Sequence, residues 1–324
     1  MARTRLYRNG TLVLEDFPVR DISDHLGDPS SVVWLDLYRP GPAELAMVGE
    51  EFGLHELALE DVRHQRQRPK LDRYRTHEFL SAYTVAVAPG STELITSEVA
   101  VFITGQALIT IRMDDRLAIE DVAARWDQSP NLADHGVGFL LHGLLDHLVD
   151  GYFDAVQELD DRIEELEDLL FDQGRQQIQA VQRRAFGLRK SLVGLRRVVL
   201  PMREVVNGLM RPGLHLVSEP LMPYYQDVYD HVLRVTEWTE SLRDMVGSVM
   251  ETNLSIQANR MNLIMKKVTS WAAIIAVPTA ITGFYGQNLP YPGFGHLAGF
   301  ITSSAAIVLL SVVLYLVFKR SDWL

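Results

Sequence analysis

The chain has 324 residues, no cysteine, and a formal net charge of −11 from 42 acidic and 31 basic side chains. Without cysteine there are no disulfides and no thiolate zinc site, which suits a reducing cytoplasm. The negative balance excludes the basic field of a nucleic-acid binder, so no nucleic-acid partner is expected. It is compatible with gathering cations, as are many solvated acidic surfaces.

Met1–Arg8 has no apolar run, so no cleavable signal peptide is expected. Leu6–Tyr7 and Leu12–Leu14 flank Asn9-Gly10, a hairpin turn. Val32–Leu37 reads as a buried strand, Ala43–Phe52 as a helix closed by Gly53, and Glu56–Arg63 as a second helix. Phe79–Val87, Glu93–Ile103 and Ala107–Arg112 read as consecutive strands. Residues 1–130 are therefore expected to form a mixed α/β cytoplasmic domain.

From about Val137 the pattern turns helical, with apolar residues recurring every three or four positions to Leu170. Gln173-Gly174 breaks the run, and a second helix over about Gln176–Met210 ends before Pro212-Gly213. Residues 131–215 thus read as an antiparallel helical hairpin. Its arms carry opposite charge: eleven carboxylates and one Arg over 146–172, then nine Lys/Arg and one Glu over 173–211. The plain expectation is ion pairing along the hairpin; the sharper one makes the acidic arm a cation-attracting surface.

After Pro220 and Pro223 no proline interrupts the helical pattern until Pro278. A helix from Tyr224 to Tyr285 holds 62 residues, which at 1.5 Å per residue is about 93 Å, so 220–285 reads as a stalk. Its heptad-like apolar stripe (Val228, Val232, Val235, Trp238, Leu242, Met245, Val249) implies partner helices and oligomerisation.

No charged side chain lies between Val268 and Phe318. Two apolar spans, Val268–Tyr285 (within a membrane helix over about 266–285) and Phe300–Phe318 (within 300–319), each suffice to cross a bilayer, whose core takes about 20 helical residues. A buried hairpin of a soluble domain is the alternative. Lys266 and Lys267 precede the first span, and Lys319 and Arg320 follow the second, while the loop 286–299 has no basic residue. This places the loop outside and both termini, including the tail 320–324, in the cytoplasm, in a multi-pass protein of the plasma (inner) membrane. The basic pairs would also form a girdle beside the inner end of the spans. The fold class is thus an α+β membrane protein.

Asn262, Met265, Thr269, Ala272, Ala276, Thr279 and Gly283 alternate steps of three and four, sharing one helix face of uncharged, mostly small side chains. Such a stripe allows close helix packing. With amides at either end, Asn262 and Asn288, it would equally suit a hydrated, neutral conduit. His296 is the one titratable loop side chain and reads as a surface residue.

The segments Asn262–Thr269, Pro278-Thr279, Gly283–Asn288 and Phe318–Leu324 resemble the CorA magnesium transport family, as do Leu59–Val62, Gln67–Lys70, Leu148–Phe153 and Gln226–His231. The resemblance covers nearly the whole chain in order. It implies a funnel-shaped homopentamer in the lipid bilayer, with the first spans lining a channel for divalent cations, most simply Mg²⁺ and otherwise Co²⁺ or Ni²⁺. It makes Asn288 a ring of entrance amides in the signature Gly286-Gln287-Asn288, and puts a constriction at Asn262, Met265 and Val268. It makes Asp61 and Asp227 regulatory ligands that bind cytoplasmic Mg²⁺ and close the pore; read alone, these acids are helix caps or surface groups. Gln287 stands where the family signature has Met, which leaves a proton-coupled Zn²⁺ transporter of the same superfamily as an alternative. A non-conducting membrane tether is the reading from another class.

An enzyme is not expected, and no organic cofactor. There is no Gly-Lys-Ser/Thr phosphate loop; His55-Glu56 lacks the second His of a zinc motif, and His142 and His147 are five apart.

Overall fold

The computed structural model describes residues 2–64, 67–129, 132, 134–170, 175–211, 216–287, 290 and 293–324. Two compact units make up the chain, Met1–Val249 and Met250–Leu324.

The first unit contains a seven-stranded sheet in the order β2-β1-β3-β7-β6-β5-β4. Its strands are β1 (Ala2–Arg8), β2 (Thr11–Glu15), β3 (Ser31–Tyr38), β4 (Lys70–Arg73), β5 (Glu78–Val87), β6 (Leu94–Ile103) and β7 (Ala107–Arg112). The β1–β2 turn is Asn9-Gly10, both at positive φ (46° and 73°), the geometry that predicts this dipeptide in a two-residue hairpin. All neighbours are antiparallel except β3 and β7, which run parallel. Val33, Leu35 and Leu37 of β3 are buried, and so are the alternate residues Trp34 and Asp36, because both faces of this central strand are covered. On one face α2 (Pro42–Glu51) and α3 (Glu56–His64) pack Leu45, Val48, Ala58 and Val62 against Val33, Leu35, Phe79 and Phe102. On the other, Trp126 of α4 (Ile119–Gln128) meets Trp34 edge-on at 4.9 Å and donates its indole N–H to Leu140 O at 3.0 Å. Asp36 is 2% exposed and is held by Arg112 (2.9 Å) and the Thr110 hydroxyl (2.8 Å). Burying a carboxyl group is costly unless it is hydrogen-bonded in this way.

The long helices are α5 (Val137–Leu170) and α6 (Arg175–Leu209), followed by α7 (Met222–Tyr285), which runs for 64 residues and continues from the first unit into the second. The first unit also has a short helix α1 (Ile22–His25), and the second has α8 (Leu297–Arg320). Tyr152 of α5 donates to Tyr83 O of β5 at 2.8 Å, and Tyr225 of α7 to Gly138 O of α5 at 2.8 Å. These bonds, from deeply buried tyrosines whose phenol pKa values burial drives up, tie α5 to the sheet and α7 to α5.

Two expectations change here. Ion pairing along the α5–α6 hairpin does not occur among the described residues. Asp146 and Asp150 instead engage Arg125 of α4, Arg162 pairs within α5 to Glu158 and Glu165, and Arg196 of α6 reaches Glu240 of α7. Apolar side chains fill the seam between the arms, so their charges point elsewhere. Second, the heptad stripe of α7 is not a free seam for other copies. Val228, Val232, Val235, Leu242 and Val249 are buried within the chain, and Met245 alone of the stripe is exposed. The stripe's own hairpin neighbours satisfy it; Trp238, for example, donates to Asp160 of α5 at 3.2 Å.

Candidate functional site

The second unit is a helical hairpin, and it holds both apolar spans, the α7 end and Leu297–Arg320. Its two helices shelter one another along one stripe each: Ser270, Ala273, Ile274, Val277 and Ile281 on α7, and Ser303, Ile307, Ser311, Leu314 and Phe318 on α8. The sequence stripe lies on another face. Asn262, Met265, Thr269, Ala272, Ala276, Thr279 and Gly283 are all exposed, as is Val268. Close packing inside the hairpin therefore does not explain why these side chains are small. The helix passes through Pro278 unbroken. Beside it, Thr279 donates its hydroxyl to Ile275 O at 3.0 Å and Thr282 to Pro278 O at 2.8 Å.

The hairpin is antiparallel at its basic end. Lys266 Nζ sits 5.9 Å from the ring centroid of Trp323, which stacks on Phe318, and Lys319 Nζ lies 5.8 Å from that of Tyr315. Lys266 and Lys267 thus share one end of the hairpin with Lys319 and Arg320. At the opposite end the backbone turns at Gly286, whose N–H donates to Thr282 O at 2.8 Å. A Cβ there would come 2.9 Å from the same oxygen, so this turn requires glycine. Gln287 follows, exposed, with its N–H on Phe284 O at 3.3 Å. Asn288 lies outside the described residues. His296 is exposed at the N-terminal cap of α8.

The two acids singled out for regulation stand in the first unit. Asp61, on α3, accepts a 2.7 Å bond from Lys70 Nζ, which also holds Asp72 at 2.6 Å. Burial lowers the Lys70 pKa, but its hydrogen bonds to Asp61 and Asp72 outweigh that and the net shift is upward. Asp227, on α7, is 66% exposed and lies 3.8 Å from His231 Nδ1. No hydrogen bond or ion pair joins Asp61 to Asp227 among the described residues, and no group of three or more acidic or histidine side chains there could hold a metal. Within one chain these two acids therefore form no ready metal cage.

The CorA-like Mg²⁺ transporter profile matches residues 29–320. This chain belongs to that family. It is 29% identical over 314 residues to the cobalt/magnesium transport protein CorA of Thermotoga maritima, covering 95% of this chain and 89% of the relative. It is 30% identical over 291 residues to the metal ion transporter YfjQ of Bacillus subtilis, described there as putative, covering 90% and 89%. The solved structure of the CorA magnesium transporter from Methanocaldococcus jannaschii superposes with a TM-score of 0.82 at 25% identity, over 100% of this chain and 99% of that one. The full-length CmaX structure shares the fold, with a TM-score of 0.71 at 20% identity over 98% and 96%.

A CorA-family member is a membrane transporter of divalent cations and not an enzyme. The family architecture of an α/β domain, a long helix and two C-terminal apolar helices is the one described above. Sequence reading missed Lys70 as the partner of Asp61, although Lys70 stands nine residues on. It also missed Trp323 as the ring under Lys266. The first was legible only once α3 and β4 were known to adjoin; the second could have been found from an aromatic three residues past a basic helix end.

Proposed function

We propose that the chain forms a gated, channel-like homopentamer that carries hydrated divalent cations, Mg²⁺ foremost, across the plasma membrane. The observation that carries this reading is the exposed, uncharged stripe from Asn262 to Gly283, which turns away from the chain's own hairpin partner. A second supports assembly: Leu254 and Met261 precede the basic pair Lys266-Lys267, outside the apolar span, yet are 60% and 59% exposed. Apolar surface of this kind outside lipid is covered by other copies.

The direction of transport follows from electrostatics. A membrane potential contributes about 2.3 kcal/mol per charge per 100 mV, hence about 4.6 kcal/mol for a divalent ion, enough to drive entry without ATP. With both basic pairs at one end of the hairpin, the positive-inside rule puts both termini in the cytoplasm and the turn at Gly286 outside. At that entrance Asn288 offers neutral carbonyl oxygens to an ion that gives up its water reluctantly. A carboxylate ring would bind harder and release more slowly. Asp61 and Asp227, contributed by adjacent copies, close the pore when cytoplasmic Mg²⁺ rises, and the basic girdle Lys266, Lys267, Lys319 and Arg320 slows cation exit.

Uptake of Mg²⁺ into proteoliposomes under an imposed potential, with and without a proton gradient, tests the function. Potential-driven uptake indifferent to the proton gradient is expected. Uptake that requires the proton gradient and prefers Zn²⁺ replaces it with the zinc-transporter reading, for which Gln287 in the signature is the specific observation.

A further inference from the structure

We propose that a cleft between α6 and the sheet edge binds a polyphosphorylated small molecule, a nucleoside triphosphate in particular. The cavity measures about 880 Å³ and lies wholly within the first unit. This is within the range of small-molecule sites, roughly 300–1,000 Å³. Arg68 reaches it from the segment before β4, and Arg189, Lys190 and Arg197 from α6; Glu93 is the one carboxylate in its lining. Among the described residues none of these four cations makes an ion pair, in a chain whose net charge is −11. A concave surface of one sign focuses its field on an incoming counter-ion. Arginine forks match phosphate oxygens in pairs, and lysine adds a point charge.

Local structure explains why the cations gather there. Phe186, Arg189, Lys190, Val193 and Arg197 recur at three and four residues, so one face of α6 carries them. The adjacent stripe has Gly187 and Gly194. A Cβ at Gly187 would collide with the Thr92 hydroxyl, and one at Gly194 would come 3.2 Å from Leu94. The helix therefore sits close on the start of β6. Ser191 fixes that contact, donating to Thr92 O and accepting from Leu94 N–H at 3.1 Å. Phe186 stands 67% exposed at the rim, an apolar plane beside a cationic hollow. A free polyphosphate would use the cations alone; a nucleotide would also stack its base on Phe186.

The charge balance has a further consequence. Four cations against one carboxylate favour the metal-free polyphosphate over its Mg²⁺ complex, whose charge is two units less negative. Occupancy would rise as Mg²⁺ falls. That regulatory meaning rests on the transporter reading; the binding does not.

Calorimetry on the purified full-length protein in detergent tests the site, with metal-free ATP, ATP in excess Mg²⁺, tripolyphosphate and orthophosphate as probes. Saturable binding of metal-free ATP is expected, weaker with Mg²⁺, with tripolyphosphate ahead of orthophosphate. Arg189→Ala with Arg197→Ala should weaken both ATP and tripolyphosphate at least tenfold, and Arg197→Lys should retain most of the binding. Phe186→Ala should weaken ATP about fivefold or more and leave tripolyphosphate unchanged. These side chains are exposed, so circular dichroism and size should not change. The absence of saturable binding by the native protein, or an affinity indifferent to the double arginine change, overturns the site. An equal response of ATP and tripolyphosphate to Phe186→Ala overturns the nucleoside assignment.

Discussion

Lys70 Nζ lies 2.7 Å from Asp61 Oδ2, so a tethered ammonium already occupies part of the coordination sphere of the acid proposed to sense Mg²⁺. The ion must compete with it. Partly exposed pairs of this kind contribute about 0.5–1 kcal/mol. Lys70→Met should therefore let Mg²⁺ protect the protein from protease at two- to fivefold lower concentration, by the usual conversion of about 1.4 kcal/mol per tenfold. Unchanged protection in Lys70→Met, together with persistent protection in the double variant Asp61→Ala/Asp227→Ala, moves the sensor elsewhere.

Asn288→Ala should abolish cation uptake while the oligomer stays assembled. Uptake assays beside cross-linking check both halves, and normal flux in an intact oligomer removes Asn288 from the entrance.

Along α7 the exposed and sheltered faces should respond differently. Ala276→Phe adds bulk to the exposed stripe and should cut flux at least tenfold with little loss of thermal stability. Ala273→Phe overpacks the contact with α8 and should cost about 1–3 kcal/mol of stability. Equal flux in Ala276→Phe and the native protein would show that ions travel elsewhere.

Gly286→Val should disrupt the turn between α7 and α8, since its Cβ would meet Thr282 O at 2.9 Å. The expected result is loss of uptake with the first unit's melting unaffected.

Burial pushes the imidazole pKa values of His77, His142 and His147 down, and His77 Nε2 and His147 Nδ1 have no hydrogen-bond partner among the described residues. A depressed folded value means the unfolded chain takes up the proton first. Their stabilising contribution is present above about pH 6.5 and is lost as the pH falls through the lower folded values. The melting temperature of the protein should fall between pH 7 and pH 5, and less steeply in His142→Asn.

Strand and helix content was legible where period and turn chemistry agreed. Asn9-Gly10 announces its hairpin, and the apolar runs of β5 to β7, bounded by turn residues, become strands buried over continuous stretches. β4 escaped notice because Lys70–Arg73 has one apolar residue, Leu71, among three charged ones on a sheet edge, where pairing and not hydrophobicity makes the strand. α4 escaped for another reason: Ile119, Val122, Ala123 and Trp126 form a short apolar face among acids, and its meaning lies in Trp34 across the sheet. The α7 heptads were visible, but not what covers them, since a stripe looks the same whether its partner is in the same chain or another. The spans and the small-residue stripe could be read directly, because so long an uncharged run is rare in helices that meet water. The Lys70–Asp61 pair could not, because no local spacing brings α3 to β4.

Thr279 commits its hydroxyl proton to its own helix at Ile275 O. What such a side chain can turn outward is lone-pair oxygen, an acceptor and not a donor. In the assembly proposed above, five of these oxygens would present an electronegative collar that welcomes the hydrogens of a cation's water coat and repels the oxygens of an anion. Sign discrimination would then be built from the backbone bonding of a helix, with no formal charge to trap the passenger.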